Sequence, residues 1–319
     1  MKYDQLGFPI PTEFGPRPDD LEPAGTRLAA GGGPPRRQTA GPVKRLFVLA
    51  MLLVLLVPTV VGPAVMPAVR EGVVQWSLER AIAREGRGSL EAAIGDLSRA
   101  ISWSGGDQAA PLPASRLLCW RAMLRIENRD PGGGLADAEA AARVAPTAVQ
   151  PQRIRALAFV VLGDADSALT AAQAAVDLAG PDDPEALNHR AYIRALVGRD
   201  LEAALADIDR ALAGGGGPSP EFLDTRGYVL HLLGRQQEAV DDLNLAIDSS
   251  QDDRRRLVLL AGHVDPGELA YRLRSADHGL AVMHRHRGLA CRALGLTGQA
   301  EQDQAVAEKK GFDPSRGIF

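Results

Sequence analysis

The chain has 319 residues, enough for a folded region of about 250 with a remainder. Its 36 Lys and Arg stand against 40 Asp and Glu, and a formal charge of −4 excludes the basic excess by which a nucleic-acid binder displaces counterions. Two cysteines exclude a disulfide framework and a four-thiolate zinc site, and 4% aromatic residues are too few for a sandwich or barrel core. Alanine-rich stretches favour closely packed helices, so the expected class is all-α.

Residues 1–45 hold eight prolines and seven glycines and no apolar periodicity, which predicts a disordered tail. Residues 46–69, LFVLAMLLVLLVPTVVGPAVMPAV, carry no charge across 24 positions. As a helix this run is about 36 Å long against a hydrocarbon core of about 30 Å, so it is expected to span a bilayer once. Pro58 is tolerated in lipid, whereas Gly62, Pro63 and Pro67 predict a helix that loosens towards its far end. A cleaved leader is the competing reading, but a lead-in of 45 residues is too long for one. Arg36, Arg37, Lys44 and Arg45 precede the run with no acid among residues 31–45. This bias predicts a cytoplasmic N-terminus, a single-pass inner (plasma) membrane protein, and a folded part outside the cytoplasm.

Residues 72–319 show self-similarity at a period near 34. A small residue in the first helix of a pair is followed by a turn Gly seven positions later and by small or apolar residues in the second helix. The first unit gives Ala81, Gly88, Ala93, Leu97 and Ala100; the second gives Ala122, Arg129, Gly134, Ala138 and Ala141, with Arg in place of the turn Gly. The third is Ala156, Gly163, Ala168, Ala172 and Ala175. The fourth, Ala191, Gly198, Ala204, Ile208 and Ala211, has one extra residue after its turn. The fifth is Gly227, Gly234, Ala239, Leu243 and Ala246, and the sixth Gly288, Gly295, Ala300, Gln304 and Ala307.

This array resembles the tetratricopeptide repeat family over about three quarters of the chain, in the form of a membrane-anchored bacterial member. The expected fold is a solenoid of helical hairpins, in which a small residue at each crossing lets the second helix lie close to the first. Successive first-helix small residues are 41, 34, 35, 36 and 61 apart, so residues 251–283 form an irregular insert. Within it Leu269, Leu273, Ala276, Leu280 and Met283 recur at helical spacing, and Asp265, Pro266 and Gly267 make a start signal. A long helix is expected there, either packed back on the array or projecting as a contact element.

Three histidines, His278, His284 and His286, are the one local group of candidate ligands. Their separations miss the i, i+4 geometry, so they read as solvated or capping residues. Cys119 and Cys291 read as buried small residues, too far apart for a bridge. The glycine runs at 31–33, 132–134 and 214–217 read as linkers or turns, and Arg254, Arg255 and Arg256 as a solvated helix start. No catalytic motif, metal site or cofactor signature is present, so the chain is not expected to be an enzyme.

What the family resemblance implies is a concave groove lined by first-helix residues that binds peptide or protein segments. Carried over unit by unit, it points to Arg153, Asn188, Tyr192, Asp224, Tyr228, His231, Arg285 and Arg292. The expected function is a membrane-tethered scaffold for protein partners. The alternatives are a metal-dependent enzyme or sensor using His278 to His286, and self-assembly through the long helix.

Overall fold

The structure, a computed structural model, describes residues 2–3, 9–10, 62–104, 113–214 and 219–312. Contacts divide the chain into two units, residues 1–73 and 74–319. In the first, strands β1 (Lys2–Tyr3) and β2 (Pro9–Ile10) pair antiparallel, with Lys2 opposite Ile10 and Tyr3 opposite Pro9. This two-rung ladder falls in the segment expected to be a disordered tail; every other described element is a helix, as the all-α expectation has it.

Most of the expected membrane span, residues 46–61, lies outside the described residues, as does nearly all of the tail. From Gly62 the chain is helical to Gly86 (α1), which corrects the expectation that Pro63 and Pro67 loosen it. Pro63 falls in the first turn, where an N–H has no intrahelical partner in any case, and Pro67 forgoes only one bond just beyond it. No helix among the described residues is long and apolar enough to cross a membrane.

After α1 come α2 (Leu90–Ser104), α3 (Ala114–Glu127), α4 (Pro131–Val144), α5 (Val149–Leu162) and α6 (Ala165–Ala179). The series continues with α7 (Pro184–Val197), α8 (Leu201–Ala213), α9 (Pro220–Leu232), α10 (Gln236–Leu259), α11 (Pro266–Ala293) and α12 (Thr297–Lys309). Consecutive odd and even helices form the six hairpins that the repeats predict.

The phase of the small residues is the phase of the packing. Ala81, Ala93, Ala122, Ala156, Ala168, Ala191, Ala204 and Ala239 are completely buried and Ala300 almost so. At the two glycine crossings the approach is closer still. A β-carbon on Gly227 would stand 2.6 Å from Leu243 Cγ and 3.2 Å from the Ala239 carbonyl oxygen, and one on Gly288 would stand 3.2 Å from Asp303 Cβ. Only a residue without a side chain lets α9 meet α10 at that separation.

All six turn positions have a left-handed backbone: Gly88, Arg129, Gly163, Gly198, Gly234 and Gly295 lie between φ 65° and 81°. The second unit therefore keeps the turn and tolerates Arg129 (φ 65°), at roughly 1 kcal/mol of backbone strain. The fourth unit absorbs its extra residue through a second left-handed position, Asp200 (φ 53°), directly before α8. Gly132 to Gly134 are not a linker but the first turn of α4, capped by Asp130, whose Oδ1 accepts from the Gly133 amide at 2.9 Å.

A second periodic feature runs through the same hairpins. An arginine stands one position before each first-helix small residue: Arg80, Arg121, Arg155, Arg190, Arg226 and Arg287. In five units a buried aspartate three positions after the second-helix small residue pairs with it: Asp96, Asp137, Asp207, Asp242 and Asp303. Arg190 is representative, with Nε at 2.7 Å and Nη2 at 2.6 Å from the two Asp207 oxygens, and Arg194 adds a third contact. This two-pronged geometry compensates for burying both charges.

The insert is resolved as an extension of two helices. Arg254 to Arg256 belong to the far part of α10 rather than to a helix start, and the predicted helix from Pro266 is present, with Asp265 capping the Gly267 and Glu268 amides. Of the two expected arrangements, the chain adopts the packed one. A β-carbon on Gly86 would touch the Tyr271 amide nitrogen at 2.7 Å, and one on Gly267 would lie 3.2 Å from Ala83 Cβ. Arg274 pairs with Glu127 at the end of α3. The last hairpin thus reaches back to the first two.

Candidate functional site

The residues three before and one after the first-helix small position supply most of the nominated groove. Arg153, Asn188 and Asp224 are buried, Tyr192, Tyr228 and Arg285 half-buried. Arg153 belongs to one cluster, and Asp224, Tyr192 and Tyr228 to a second.

The first lies where α5 meets α7. Arg153 Nη2 is 4.0 Å from Glu185 Oε2, and His189 hydrogen-bonds the Arg153 main chain. Burial, and then the Arg153 charge, push the His189 imidazolium well below the ordinary histidine range, so its ring is neutral at pH 7. Burial also raises the Glu185 carboxyl, and Glu221 and Asp183 add to that while Arg153 partly offsets it.

The second joins α7, α9 and α11. His286, 1% exposed, has Nδ1 2.9 Å from Asp224 Oδ1 and stacks on Tyr228 with ring centroids 4.1 Å apart and planes at 10°. Tyr192 meets the same pair, 6.5 Å from Tyr228 and edge-on to His286 at 6.4 Å. Burial raises both phenols, with Asp224 contributing and Arg285 opposing at Tyr228, so both stay as hydroxyl donors.

Several polar atoms here are buried without a hydrogen-bond partner: Gln150 Nε2, Asn188 Oδ1, His189 Nε2 and His286 Nε2. Such atoms are uncommon in folded interiors, and leaving one unmade costs about 1–3 kcal/mol. Because a carboxylate only accepts, His286 Nδ1 carries the hydrogen towards Asp224, and Nε2 is the open position of the ring.

Two nominated residues are bound elsewhere, and a third is exposed. His231 is bound to Gln236 across the α9–α10 turn, with Nδ1 2.7 Å from Oε1. Arg285 reaches Gln304 at 3.0 Å and lies over the Phe312 ring, and Arg292 is exposed at the last turn of α11.

The expectation of solvated histidines is corrected at two positions. His284 and His286 are buried, each with an aspartate from another helix, Asp303 at 2.7 Å and Asp224 at 2.9 Å. These partners diverge, and among the described residues no three His, Cys, Asp or Glu side chains converge as a metal site would require. His286 was not nominated, because its spacing was weighed only against the other histidines and not against acids on neighbouring helices. Cys119 and Cys291 are free and buried as expected. Burial, helped by Asp137, pushes the Cys119 thiol up to about 12, which disfavours the thiolate.

No protein-family model and no curated protein matches the chain. Among solved structures, it is similar to a thermophilic TPR protein of Thermus thermophilus, at 19% identity and TM-score 0.48 over 64% of this chain and 98% of that one. It is also similar to a tetratricopeptide repeat protein of Parabacteroides merdae, at 18% identity and TM-score 0.43 over 76% and 95% of the two chains. A third is the type IV pilus biogenesis factor PilW, at 18% identity and TM-score 0.39 over 61% and 92%.

Proposed function

We propose that this chain is a non-catalytic scaffold that holds a protein or peptide segment against the first-helix face of α5, α7, α9 and α11. The supporting observation is the half-buried pair Tyr192 and Tyr228 from neighbouring first helices, 6.5 Å apart, with Tyr228 stacked on His286. An extended segment brings main-chain donors and acceptors at regular spacing, and half-buried tyrosines supply large contact area at low entropic cost. Cross-linked capture with the full chain tests this reading, comparing wild type with the double variant Tyr192→Ala, Tyr228→Ala. Loss of specific partners from the variant is expected, and identical partner sets with equal yields would dismiss the face as the contact surface.

The scaffold is proposed to act at a membrane, through residues 46–69, with the N-terminus cytoplasmic and the hairpins outside. Support comes from the 24 uncharged positions and the four preceding cations. The full chain should resist alkaline extraction from membranes, and deletion of 46–61 should release it.

Self-association is a second reading, favoured by Val258 and Leu259, which are 47% and 70% exposed at the C-terminal end of α10. A concentration-dependent mass in light scattering, abolished by Leu259→Asp, would support it.

A further inference from the structure

The return of the last hairpin encloses a cavity of about 410 Å³ between the ends of α1 and α3 and the helices α10, α11 and α12, and we infer that it binds a small organic phosphate. This inference does not rest on the groove, none of whose nominated residues lines the cavity.

Helical spacing places the charged groups. Arg274, Asp277 and His278 stand three and four positions apart on α11, so they share the face that lines the cavity. Arg254 enters from α10, Lys310 from the end of α12 and Glu127 from the end of α3. Arg254 Nε and Nη2 donate to the two Asp277 oxygens at 2.8 and 3.0 Å, Lys310 Nζ donates to the same carboxylate, and Arg274 pairs with Glu127. Three permanent cations therefore meet two carboxylates, an excess of one positive charge before His278 is counted, on a chain whose formal charge is −4. Donors remain: among the described residues Arg254 Nη1 makes no hydrogen bond, and the Lys310 ammonium spends one of its three. The side chains of Arg254, Arg274 and Lys310 are 34%, 31% and 22% exposed, so a ligand can reach them.

Volume and charge together narrow the occupant. A cavity of this size lies in the range that holds small metabolites, and an inorganic ion alone would leave most of it to water. Ala270 and Leu273 offer an apolar wall to a short carbon skeleton. Cations from three different helices approach from different directions, which suits a tetrahedral phosphate better than a planar carboxylate. The occupant would touch the last hairpin and the ends of α1 and α3 at once, so its binding free energy adds to the closure of the array.

The test uses the full chain with glycerol 3-phosphate as probe and with glycerol, succinate and inorganic phosphate as comparisons, at ionic strength equalised with sodium chloride. Calorimetry should detect the probe and not glycerol, and at ten times the dissociation constant amide exchange in 266–283 should slow by about tenfold. Lys310→Gln should weaken binding by roughly tenfold. Asp277→Asn, which removes the internal carboxylate competing for the same cations, should tighten it, an effect that a purely structural ion pair would not give. Arg255→Gln, exposed on α10 and outside the cavity, should change nothing. No binding at about 10 mM, or binding indifferent to Lys310→Gln, would overturn the site. Succinate bound as tightly as the probe would overturn the phosphate, inorganic phosphate bound as tightly would overturn the organic body, and displacement by phosphatidic acid vesicles at equal phosphate would overturn a free metabolite as its source. If Asp277→Asn does not fold, Lys310→Gln decides alone.

Discussion

The α9–α10 hairpin and the returning segment at 251–283 are held by different means. In the hairpin, a glycine crossing, completely buried Ala239 and Leu243, and the Arg226–Asp242 pair act at one place, all within 20 residues of sequence. In the returning segment the side chains are mostly half-buried, and the ties are ion pairs: Arg254 and Lys310 on Asp277, and Arg274 on Glu127. Regular hairpins are therefore over-determined, while the return rests on close backbone approach at Gly86 and on charges that salt can screen.

The sharpest way to break this contrast is within a hairpin. Asp207→Ala leaves the half-buried Arg190 and Arg194 around an absent partner and should cost about 3 kcal/mol, read by urea unfolding. Ala239→Trp should cost roughly 1–3 kcal/mol or more by forcing α9 and α10 apart, and an unchanged thermal transition would refute the assigned register. In the opposite direction, Arg129→Gly relieves the one non-glycine turn and should stabilise by about 1 kcal/mol, provided the gain exceeds the added freedom of the unfolded chain.

The return should respond more weakly. Arg274→Ala is expected to cost less than about 1 kcal/mol globally, yet amide exchange in 266–283 should quicken while α9 is unaffected.

Acid compares the two regions directly. Burial would raise the carboxyls of Asp303 and Asp277. The bonds from His284 and Arg287 to the first, and from Arg254 and Lys310 to the second, outweigh it and hold both below the ordinary range. Their contribution is full above the unfolded value of about 3.9 and is lost as pH falls through the folded values. Circular dichroism between about pH 5 and about pH 2 should show a loss of stability that Asp303→Asn blunts.

Much of the hairpin array was legible because packing repeats: the alanine phase and the turn position recur whether or not one copy deviates, as Arg129 shows. The start at Asp265 was legible from local capping chemistry. The Arg–Asp ladder was missed, since each arginine and aspartate read singly is an ordinary surface charge. Aligning charges as well as apolar residues across units would have revealed it. The Asp224–His286 contact bridges 62 positions and the Arg274–Glu127 contact 147, and no local pattern in a single sequence encodes such pairings.

The contact between Tyr271 and Gly86 also fixes how many hairpins the molecule can have. An open stack can gain or lose a unit by duplication or deletion, since each copy needs only its neighbours. Here one more copy would shift the returning helix by on the order of 10 Å, about one interhelix spacing, and part it from its seat. Lineages of this protein should therefore vary in loops and tips while holding their repeat number constant.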